Sequence, residues 1–248
     1  MCPVDYDTVA PAYDRRYAAR TFQGVEAAVR GFVGAPAQVE VVVEVGCGTG
    51  HWLAKLGDTV PRLVGIDPSP GMLALGRTHA SHASFVRAAA ASLPLRGAST
   101  DRVLCINALH HFDDRSGFAR EARRIVRRGG GILVVGLDPH AAGGEWWVYD
   151  TFPNARRLDR ERYPSTAAIR SLLADAGFTD GRTVVAERLH DALPFAEAVA
   201  EGHLDRRSTS QLMVIEEAEY ADGLRRLEAT RPTLRIDVSL YATTAWVR

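Results

Sequence analysis

Residues 44–50 read EVGCGTG and follow the valine run of residues 41–43. A nearly continuous apolar run is typical of a parallel strand that is covered on both faces. Gly46 and Gly48 have no Cβ atom, so the backbone can turn tightly there and a ligand can lie against the main chain. The amide groups at the start of a following helix attract an anionic group. This stretch therefore predicts a buried strand, a glycine-rich loop and a helix that together bind a charged cofactor.

An acidic residue, Asp67, closes the second predicted strand (63–66), seventeen positions after Gly50. An acid at about this distance accepts hydrogen bonds from the ribose hydroxyls of a nucleoside cofactor. The nicotinamide fingerprint G-x-G-x-x-G does not fit, because His51 stands at its last position. Glu44 would repel a pyrophosphate, whereas an amino-acid tail with an ammonium group tolerates the carboxylate or uses it, directly or through water. The loop thus favours S-adenosylmethionine, which carries such a tail.

Short apolar runs alternate with helical patterns up to residue 138, which is typical of βαβ units and a parallel sheet. Ser69 and Pro70 predict a helix N-cap followed by proline at the first helical position, and the glycines at 129–131 predict a helix end. The predicted strands are 39–45, 63–66, 84–87, 102–107 and 132–137, and the predicted helices are 24–33, 51–56, 69–79 and 115–127.

The pattern changes after residue 138. Residues 138–164 contain prolines, a Gly-Gly pair and Trp146-Trp147, and a connection of this length is usually a lid or a binding loop. Further helices are predicted at 165–176, 195–200 and 215–227, and further strands at 182–190 and 234–247. Because no clear parallel crossover helix separates the two late strands, we expect them to pair as a long antiparallel hairpin at the sheet edge.

Composition excludes several classes of protein. Of 248 residues, 46% are hydrophobic and 24% are charged, and 30 basic residues balance 30 acidic ones, so neither disorder nor a dedicated nucleic-acid binder is expected. The three cysteines, Cys2, Cys47 and Cys105, are widely spaced and contain no C-x-x-C pair, which disfavours a disulfide framework or a zinc knuckle. No signal sequence or membrane span is recognisable, so the expected location is the cytoplasm.

The segments EVGCGTG, GIDPSPGML, ASLPL and DRVLCINALHHF, followed by RRIVRRGGGILVVGLDP, resemble the successive motifs of class I S-adenosylmethionine-dependent methyltransferases. The nearest branch is the small-molecule group typified by ubiquinone and menaquinone biosynthesis enzymes and natural-product tailoring enzymes. The resemblance covers about residues 40–138. It implies an α/β, Rossmann-like, seven-stranded and mostly parallel sheet with helices on both faces, an antiparallel edge hairpin, and a helical or loop lid.

We expect one methyltransferase domain over residues 1–248. Within it, residues 1–36 form N-terminal lid helices and residues 37–138 form the cofactor-binding core. Residues 139–233 are substrate-side insertions interleaved with late sheet elements, and residues 234–248 carry the last strand. We expect a monomer or a homodimer.

The resemblance assigns cofactor-binding roles to individual residues. The loop residues Gly46, Cys47, Gly48 and Gly50, with Glu44, hold the methionine part, and Asp67 binds the ribose hydroxyls. Pro68 and Met72 pack on the adenine, and Asn107 lies beside the sulfonium. Ala89 and Ala90 occupy the place where the family has an acid followed by alanine, so adenine recognition rests on backbone groups or on another side chain. Tyr13, and with it Tyr6, would close over the cofactor as a lid, with Tyr6 also as a substrate contact, or these residues are part of an amphipathic entry segment.

Two polar clusters follow neighbouring strands of the family's sheet, His110-His111 after the fourth strand and Asp138 after the fifth. Ligands of open parallel sheets bind beyond the carboxyl ends of the strands. We predict His110 as a general base with Asp138 orienting it, and His111 as a substrate contact; the alternative is that these imidazoles cap the next helix or bind the backbone. Adjacent side chains on an extended segment point to opposite sides, so no metal site is predicted.

The acceptor is expected to be a small molecule, with oxygen as the first choice over carbon or nitrogen. The sequence after the fourth strand lacks the two prolines and the aromatic residue of enzymes that methylate adenine or glutamine, and no Pro-Cys nucleophile occurs. Trp146 and Trp147 offer apolar walls to an aromatic acceptor, or they anchor their loop to the core. Two alternatives stay open: a methyltransferase fold that binds the cofactor without methylating, and, less favoured, a nicotinamide oxidoreductase, for which Lys55 is the only lysine.

Overall fold

The computed structural model describes residues 6–14, 17, 21–34, 39–57 and 59–248. Cys2 and parts of the expected lid segment lie outside the described residues. The helices are α1 (Tyr6–Tyr13), α2 (Gln23–Val33), α3 (His51–Leu56), α4 (Pro70–His79), α5 (Arg115–Ile125), α6 (Trp147–Thr151), α7 (Pro153–Arg162), α8 (Thr166–Asp175), α9 (Phe195–Ala200), α10 (Ser210–Met213) and α11 (Glu217–Thr230). The strands are β1 (Val41–Val45), β2 (Arg62–Asp67), β3 (Ser84–Arg87), β4 (Thr100–Ile106), β5 (Val126–Leu137), β6 (Glu145–Trp146), β7 (Thr179–Leu193) and β8 (Leu234–Trp246). Short 3₁₀ turns occur at Leu109–His111 and Arg206–Ser208.

One mixed sheet organises the chain, in the order β3-β2-β1-β4-β5-β8, with β6 and β7 both paired to β8. The first five strands are mutually parallel, and β8 runs antiparallel to β5. All five residues of β1 are buried, as expected of a strand covered on both faces. The predicted α/β, mostly parallel fold is confirmed, and the two late strands pair as a long antiparallel hairpin.

The sheet has eight strands rather than the seven expected. The additional strand is β6, whose two residues pair with Asp237 and Ile236 of β8. On this edge of β8, β5 pairs only with residues 240–246, so the backbone before Leu240 is left open for a further partner. The eighth strand thus forms because β8 extends beyond its pairing with β5, and β6 pairs with the part of β8 that β5 leaves open.

The fifth strand begins earlier than predicted. The helix expected at 115–127 ends at Ile125. Strand β5 starts at Val126 and includes the three glycines, 129–131, that the sequence pattern assigns to the helix end. A Cβ atom on Gly130 would lie 2.6 Å from the Asp101 carbonyl oxygen, and one on Gly131 would lie 2.8 Å from the Ala245 carbonyl oxygen. These glycines are therefore required by close approach between strands, which a single-sequence pattern does not reveal.

The stretch 138–164, for which the sequence predicts a helical or loop lid, contains β6, α6 and α7. Trp147, Val148, Phe152 and Ala155 are buried, and they pack with apolar residues of the later helices, among them Leu227. This cluster is separate from the two cores that lie against the sheet. The stretch is helical because Val148, Phe152 and Ala155, which are four and three positions apart, pack into this third core.

The helix after β2 begins as the sequence predicted. Ser69 is its N-cap and accepts a hydrogen bond from Met72 N, and Pro70 occupies the first turn. Within the part of the chain that the structure describes, no helix has both the length and the apolar character needed to cross a membrane.

Candidate functional site

The glycine-rich loop between β1 and α3 is held by the end of β2. Gly46 N and Cys47 N both donate to the Ile66 carbonyl, at 2.7 and 3.1 Å. Gly46, Gly48 and Gly50 have φ values of +74°, +51° and +73°, a region that favours glycine. A Cβ atom on Gly46 would also lie 2.4 Å from Ala108 Cβ. The loop conformation predicted from EVGCGTG therefore depends on its glycines, and the Cys47 side chain is buried beneath it.

Asp67 lies at the carboxyl end of β2 and faces this loop. One carboxylate oxygen accepts a hydrogen bond from Gly48 N at 2.9 Å, and the other accepts one from Ser69 N at 3.0 Å. Burial raises the pKa of Asp67, against these two N–H bonds, which lower it. Each carboxylate oxygen has a second lone pair, so the fixed carboxylate can accept the two hydroxyls of a ribose.

Glu44 is only 1% exposed, although it is an acid. Its Oε2 atom has no hydrogen-bond partner among the described residues. Burial, and then the charge of Asp67, raise the pKa of Glu44 well above its ordinary value. A buried carboxylate oxygen without a partner is costly, and a ligand ammonium group is the kind of partner that would satisfy it. The unpartnered oxygen of Glu44 thus fits the ammonium group of an amino-acid tail such as that of S-adenosylmethionine.

The residues expected around an adenine lie after β2 and β3. Met72 is buried in α4, whereas Pro68 is exposed and its carbonyl accepts a hydrogen bond from Arg87 Nε at 3.0 Å. Ala89 is exposed and Ala90 packs against the sheet core. Neither alanine offers a polar side chain, so an adenine bound here would have to be recognised by backbone groups or by another side chain.

Helix α1 lies across the cofactor side of the sheet. Asp7 Oδ1 accepts hydrogen bonds from Ser69 Oγ at 2.5 Å and from Gly71 N at 3.0 Å, at the start of α4. These bonds lower the pKa of Asp7. Asp14, just after the helix, accepts a hydrogen bond from Thr49 Oγ1 at 2.6 Å. Hydrogen bonds accepted by Asp7 and Asp14 therefore tie α1 and its end to the start of α4 and to the glycine-rich loop, which border the cofactor site.

The two predicted lid tyrosines lie on this helix. A Cβ atom on Gly48 would lie 3.8 Å from Tyr13 Cε1, so Tyr13 covers the glycine loop. The Tyr6 hydroxyl is 2.5 Å from His111 Nε2 and the two rings meet edge to face. Tyr6 thus contacts His111, and Tyr13 contacts the glycine-rich loop.

A cavity of 260 Å³ lies beside the carboxyl ends of β4 and β5. Its wall is rich in aromatic rings and imidazoles: Tyr6, Tyr13, Phe22, His110, His111, Trp146, Trp147, Tyr163 and His203. Asn107 also lines it, with a φ of +52° and its N–H donated to the Val135 carbonyl at 2.8 Å. Asparagine tolerates this left-handed conformation better than most residues, and such conformations often occur at functional sites. The structure therefore brings most of the predicted acceptor-side residues to one cavity.

The predicted pairing of His110 with Asp138 is not what the hydrogen bonds show. The Asp138 carboxylate accepts the N–H of His140 at 2.9 Å and the N–H of Thr166 at 2.8 Å, one on each oxygen. Asp138 is buried and holds the chain after β5 to the start of α8. The His110 ring instead stacks on Tyr163, with ring centres 3.8 Å apart. The carboxyl ends of β4 and β5 are neighbours as expected, but the side chains use different partners.

Several residues of this wall carry no sequence signal. Tyr163 follows α7, and its hydroxyl accepts a hydrogen bond from Gln211 Nε2 at 2.8 Å. His203 Nε2 pairs with Glu201 Oε2 at 3.0 Å, and both residues line the cavity. They lie in the region 139–233, outside the recognised motifs, so only the tertiary structure identifies them.

Part of the chain is similar to known methyltransferases. Residues 43–134 match a family model described as a methyltransferase domain. A malonyl-[acyl-carrier protein] O-methyltransferase of Hahella chejuensis is 35% identical over 96 residues, which are 37% of this chain and 34% of that protein. The Bacillus subtilis protein YcgJ, described as an uncharacterized methyltransferase, is 32% identical over 136 residues, 53% of this chain and 51% of that protein. The chain thus spans about a third to a half of the length of these relatives.

Solved structures share the fold over most of the chain. The crystal structure of YcgJ superposes with a TM-score of 0.66 at 15% identity, over 91% of this chain and 98% of that chain. The [4+2]-cyclase SpnF superposes with a TM-score of 0.57 at 19% identity, over 90% of this chain and 78% of that chain. At these identities the superpositions show the fold alone.

Proposed function

We propose that this chain carries a class I S-adenosylmethionine-dependent methyltransferase domain, as its sequence predicted. We further propose that it methylates the oxygen of a small aromatic acceptor such as a phenol or a quinol. The observation that carries this proposal is the cavity beside Asn107. Its aromatic wall suits an aromatic acceptor, and two of the three imidazoles that line it, His110 and His111, are candidates to take a hydroxyl proton.

The cofactor would be held by the residues that face the glycine loop. Asp67 is fixed to accept the ribose hydroxyls, and the unsatisfied oxygen of Glu44 is placed below the loop for an ammonium group. Tyr13 covers Gly48 from the other side. When bound, the cofactor supplies a methyl group whose bond to sulfur breaks, with its electron pair left on sulfur, as the acceptor oxygen bonds to the carbon.

The protein's main contribution would be to hold the acceptor in line and to exclude water. Well-oriented reactants lower a barrier by about 7–11 kcal/mol. Trp147 is 7% exposed and Tyr163 is 6% exposed, so both are firmly packed walls rather than mobile surface groups. Cavity shape therefore accounts for most of the expected rate, and proton removal adds to it.

His110 is our candidate for the base that accepts the hydroxyl proton. It lies on the 3₁₀ turn after β4, lines the cavity and has its ring plane fixed by Tyr163. General-base catalysis contributes about 10²- to 10⁴-fold. His111 is the second candidate, because its Nε2 atom is within hydrogen-bond distance of the Tyr6 hydroxyl.

A non-methylating reaction is the alternative function. The superposition with a [4+2]-cyclase shows that this fold also occurs in a protein described by another reaction. Ala89, in the place of the family's acid, is compatible with a changed use of the cofactor. A nicotinamide oxidoreductase is less favoured, because Lys55 lies in α3 and pairs with Glu26 at 2.9 Å.

Transfer of a labelled methyl group tests the proposal. The purified chain is incubated with S-adenosylmethionine carrying a labelled methyl group and a panel of phenols, quinols, carboxylic acids and amines. We expect label in a phenol or quinol product, and H110A should lower turnover by about 10²-fold or more while S-adenosylhomocysteine binds as before. H190A is the matched control, since His190 is exposed on β7.

Each result separates the candidates. Label that appears only in amines would overturn the oxygen proposal, and no label with retained cofactor binding would favour the non-methylating alternative. Equal loss of turnover and cofactor affinity in H110A would remove His110 from the base role. The cytoplasmic location, the absence of a nucleic-acid partner and the monomer or homodimer state stay predictions.

A further inference from the structure

We propose that Tyr163 is the positioning residue for the His110 imidazole, in the place that the sequence assigned to Asp138, and that Gln211 holds Tyr163 for this task. The inference rests on the proposed function only for the role of His110 as a base. The geometry itself is independent of the acceptor.

The contact between the two rings is close and nearly parallel. Their centres are 3.8 Å apart and their planes differ by 14°. An imidazole in such a stack cannot tilt out of this plane without losing the contact, although a half-turn about its Cβ–Cγ bond restores the same plane. Tyr163 thus sets the plane in which the two ring nitrogens of His110 lie.

Tyr163 can do this because it is itself fixed at several points. It is 6% exposed, and its hydroxyl accepts a hydrogen bond from Gln211 Nε2 at 2.8 Å. Its carbonyl is 2.9 Å from His140 Nε2, and its N–H donates to the Asp159 carbonyl at 2.8 Å. Gln211 is 5% exposed on α10. The ring is therefore restrained at its hydroxyl and through its backbone.

A second connection joins the same two segments. Arg115 Nε donates to the Leu109 carbonyl at 3.3 Å, within the turn that carries His110. Another nitrogen of its guanidinium donates to the Arg162 carbonyl, directly before Tyr163. The end of α7 and the turn after β4 are thus held together by a side chain that lies on neither of them.

Tyr163 and Gln211 lie outside residues 43–134, the part of the chain that matches the methyltransferase domain. The region 139–233 would therefore set the orientation of the base as well as the walls of the cavity. A displacement of a reacting group by about 1 Å can cost about 10²-fold in rate. Substitutions in this region would then change turnover without touching the cofactor.

The test compares Y163F, Y163L and Q211L with the wild-type chain. Y241F, on β8, is the matched control. The first measurement is the NMR chemical shift of the His110 ring protons, assigned with H110A. A stacked aromatic ring shifts these signals upfield. We expect the full upfield shift in the wild type, part of it in Y163F, which lacks the hydroxyl that Gln211 binds, and its loss in Y163L. The second measurement is turnover with whichever acceptor of the panel is methylated.

We expect Y163F to retain turnover within about 3-fold and Y163L to lower kcat by about 10- to 100-fold, with the KM of the cofactor and the affinity for S-adenosylhomocysteine unchanged. If Y163L does not fold, Q211L carries the test, and we expect a partial loss of the shift with a smaller loss of kcat. An unchanged His110 signal in the folded leucine variant would overturn the proposal. If no acceptor is methylated, the NMR result still tests the stack on which the positioning role depends, and its absence would overturn that role, so the two proposals fail separately.

Discussion

Replacement of Glu44 by glutamine removes a buried carboxylate and changes little else. Glu44 is 1% exposed, one of its oxygens has no partner among the described residues, and burial raises its pKa well above 4.5. The ionisable groups that interact electrostatically with Glu44 are Asp67, Cys47 and Cys105. None of them carries a positive charge that would favour the ionised form of Glu44. In the unfolded chain the same carboxyl ionises near its ordinary value.

The sign of the stability effect follows from this difference. Between the unfolded and the folded pKa, the folded chain binds the proton and the unfolded chain does not, so stability falls as pH rises through this interval. Each unit of pKa difference costs about 1.4 kcal/mol at a pH above both values. E44Q lacks this cost. We therefore expect the cofactor-free variant to be more stable than the wild type at pH 7, with the difference vanishing below about pH 4.5.

The same substitution should weaken cofactor binding. A hydrogen bond to a charged group contributes about 1.5–3 kcal/mol, which corresponds to about 10- to 150-fold in the dissociation constant. When the ammonium group binds, the Glu44 carboxyl should lose its proton. The wild type should therefore release protons on binding at a pH below the raised pKa of Glu44 and below the pKa of an α-amino group.

Two measurements check these expectations. Urea unfolding from pH 4 to 8 gives the stability difference. Calorimetric titration with S-adenosylhomocysteine, in buffers of different ionisation enthalpy, gives the affinity and the number of protons released. E40Q is the matched control, because Glu40 is exposed and directly precedes β1. The reasoning is refuted if E44Q binds the ligand as tightly as the wild type and releases the same number of protons.

Four further predictions follow from single contacts. G46A should lower stability by at least about 1–2 kcal/mol in urea unfolding, because φ is +74° and the added Cβ would lie 2.4 Å from Ala108 Cβ; an unchanged midpoint would contradict this. F152A should cost about 3–5 kcal/mol, since Phe152 is fully buried in the third core, and a loss below about 1 kcal/mol would show that this core is loosely packed. Burial raises the pKa of Asp159 to about 6 from 3.8, so wild-type stability should decline as pH rises between these values, and D159N should flatten this slope even if it lowers the overall level. Y6F should lower kcat/KM for the acceptor by about 2- to 12-fold through loss of the bond to His111, while the affinity for S-adenosylhomocysteine changes less.

The cofactor half of the molecule was predictable because its constraints are local. A loop whose residues have positive φ favours glycine, as at Gly46 and Gly48. The end of the next parallel strand lies beside this loop, so an acid that faces the loop is found there, as Asp67 is. Ser69 likewise predicts the start of α4, because an N-cap bonds a backbone group three residues later. Each of these features is encoded within a few residues of the place where it acts.

The acceptor half was less predictable because its contacts join distant segments. Asp138 was assigned to His110 from strand order alone, but the N–H groups of His140 and Thr166 use both of its oxygens. The stack of His110 on Tyr163 joins residues 53 positions apart, and no periodicity or motif predicts such a pair. Similarly, Gly130 and Gly131 of β5 are required by the close approach of neighbouring strands, which the local sequence does not reveal.

The central claim is that the glycine-rich loop and Asp67 bind S-adenosylmethionine rather than a dinucleotide. Calorimetric titration of the folded chain with S-adenosylhomocysteine and with NAD tests it most directly, with D67N as the variant and D113N, at an exposed position, as the control. We expect one S-adenosylhomocysteine bound per chain, much weaker binding in D67N, wild-type binding in D113N, and no heat from NAD. Binding of NAD, or binding of neither compound by a chain with an intact fold, would contradict the account.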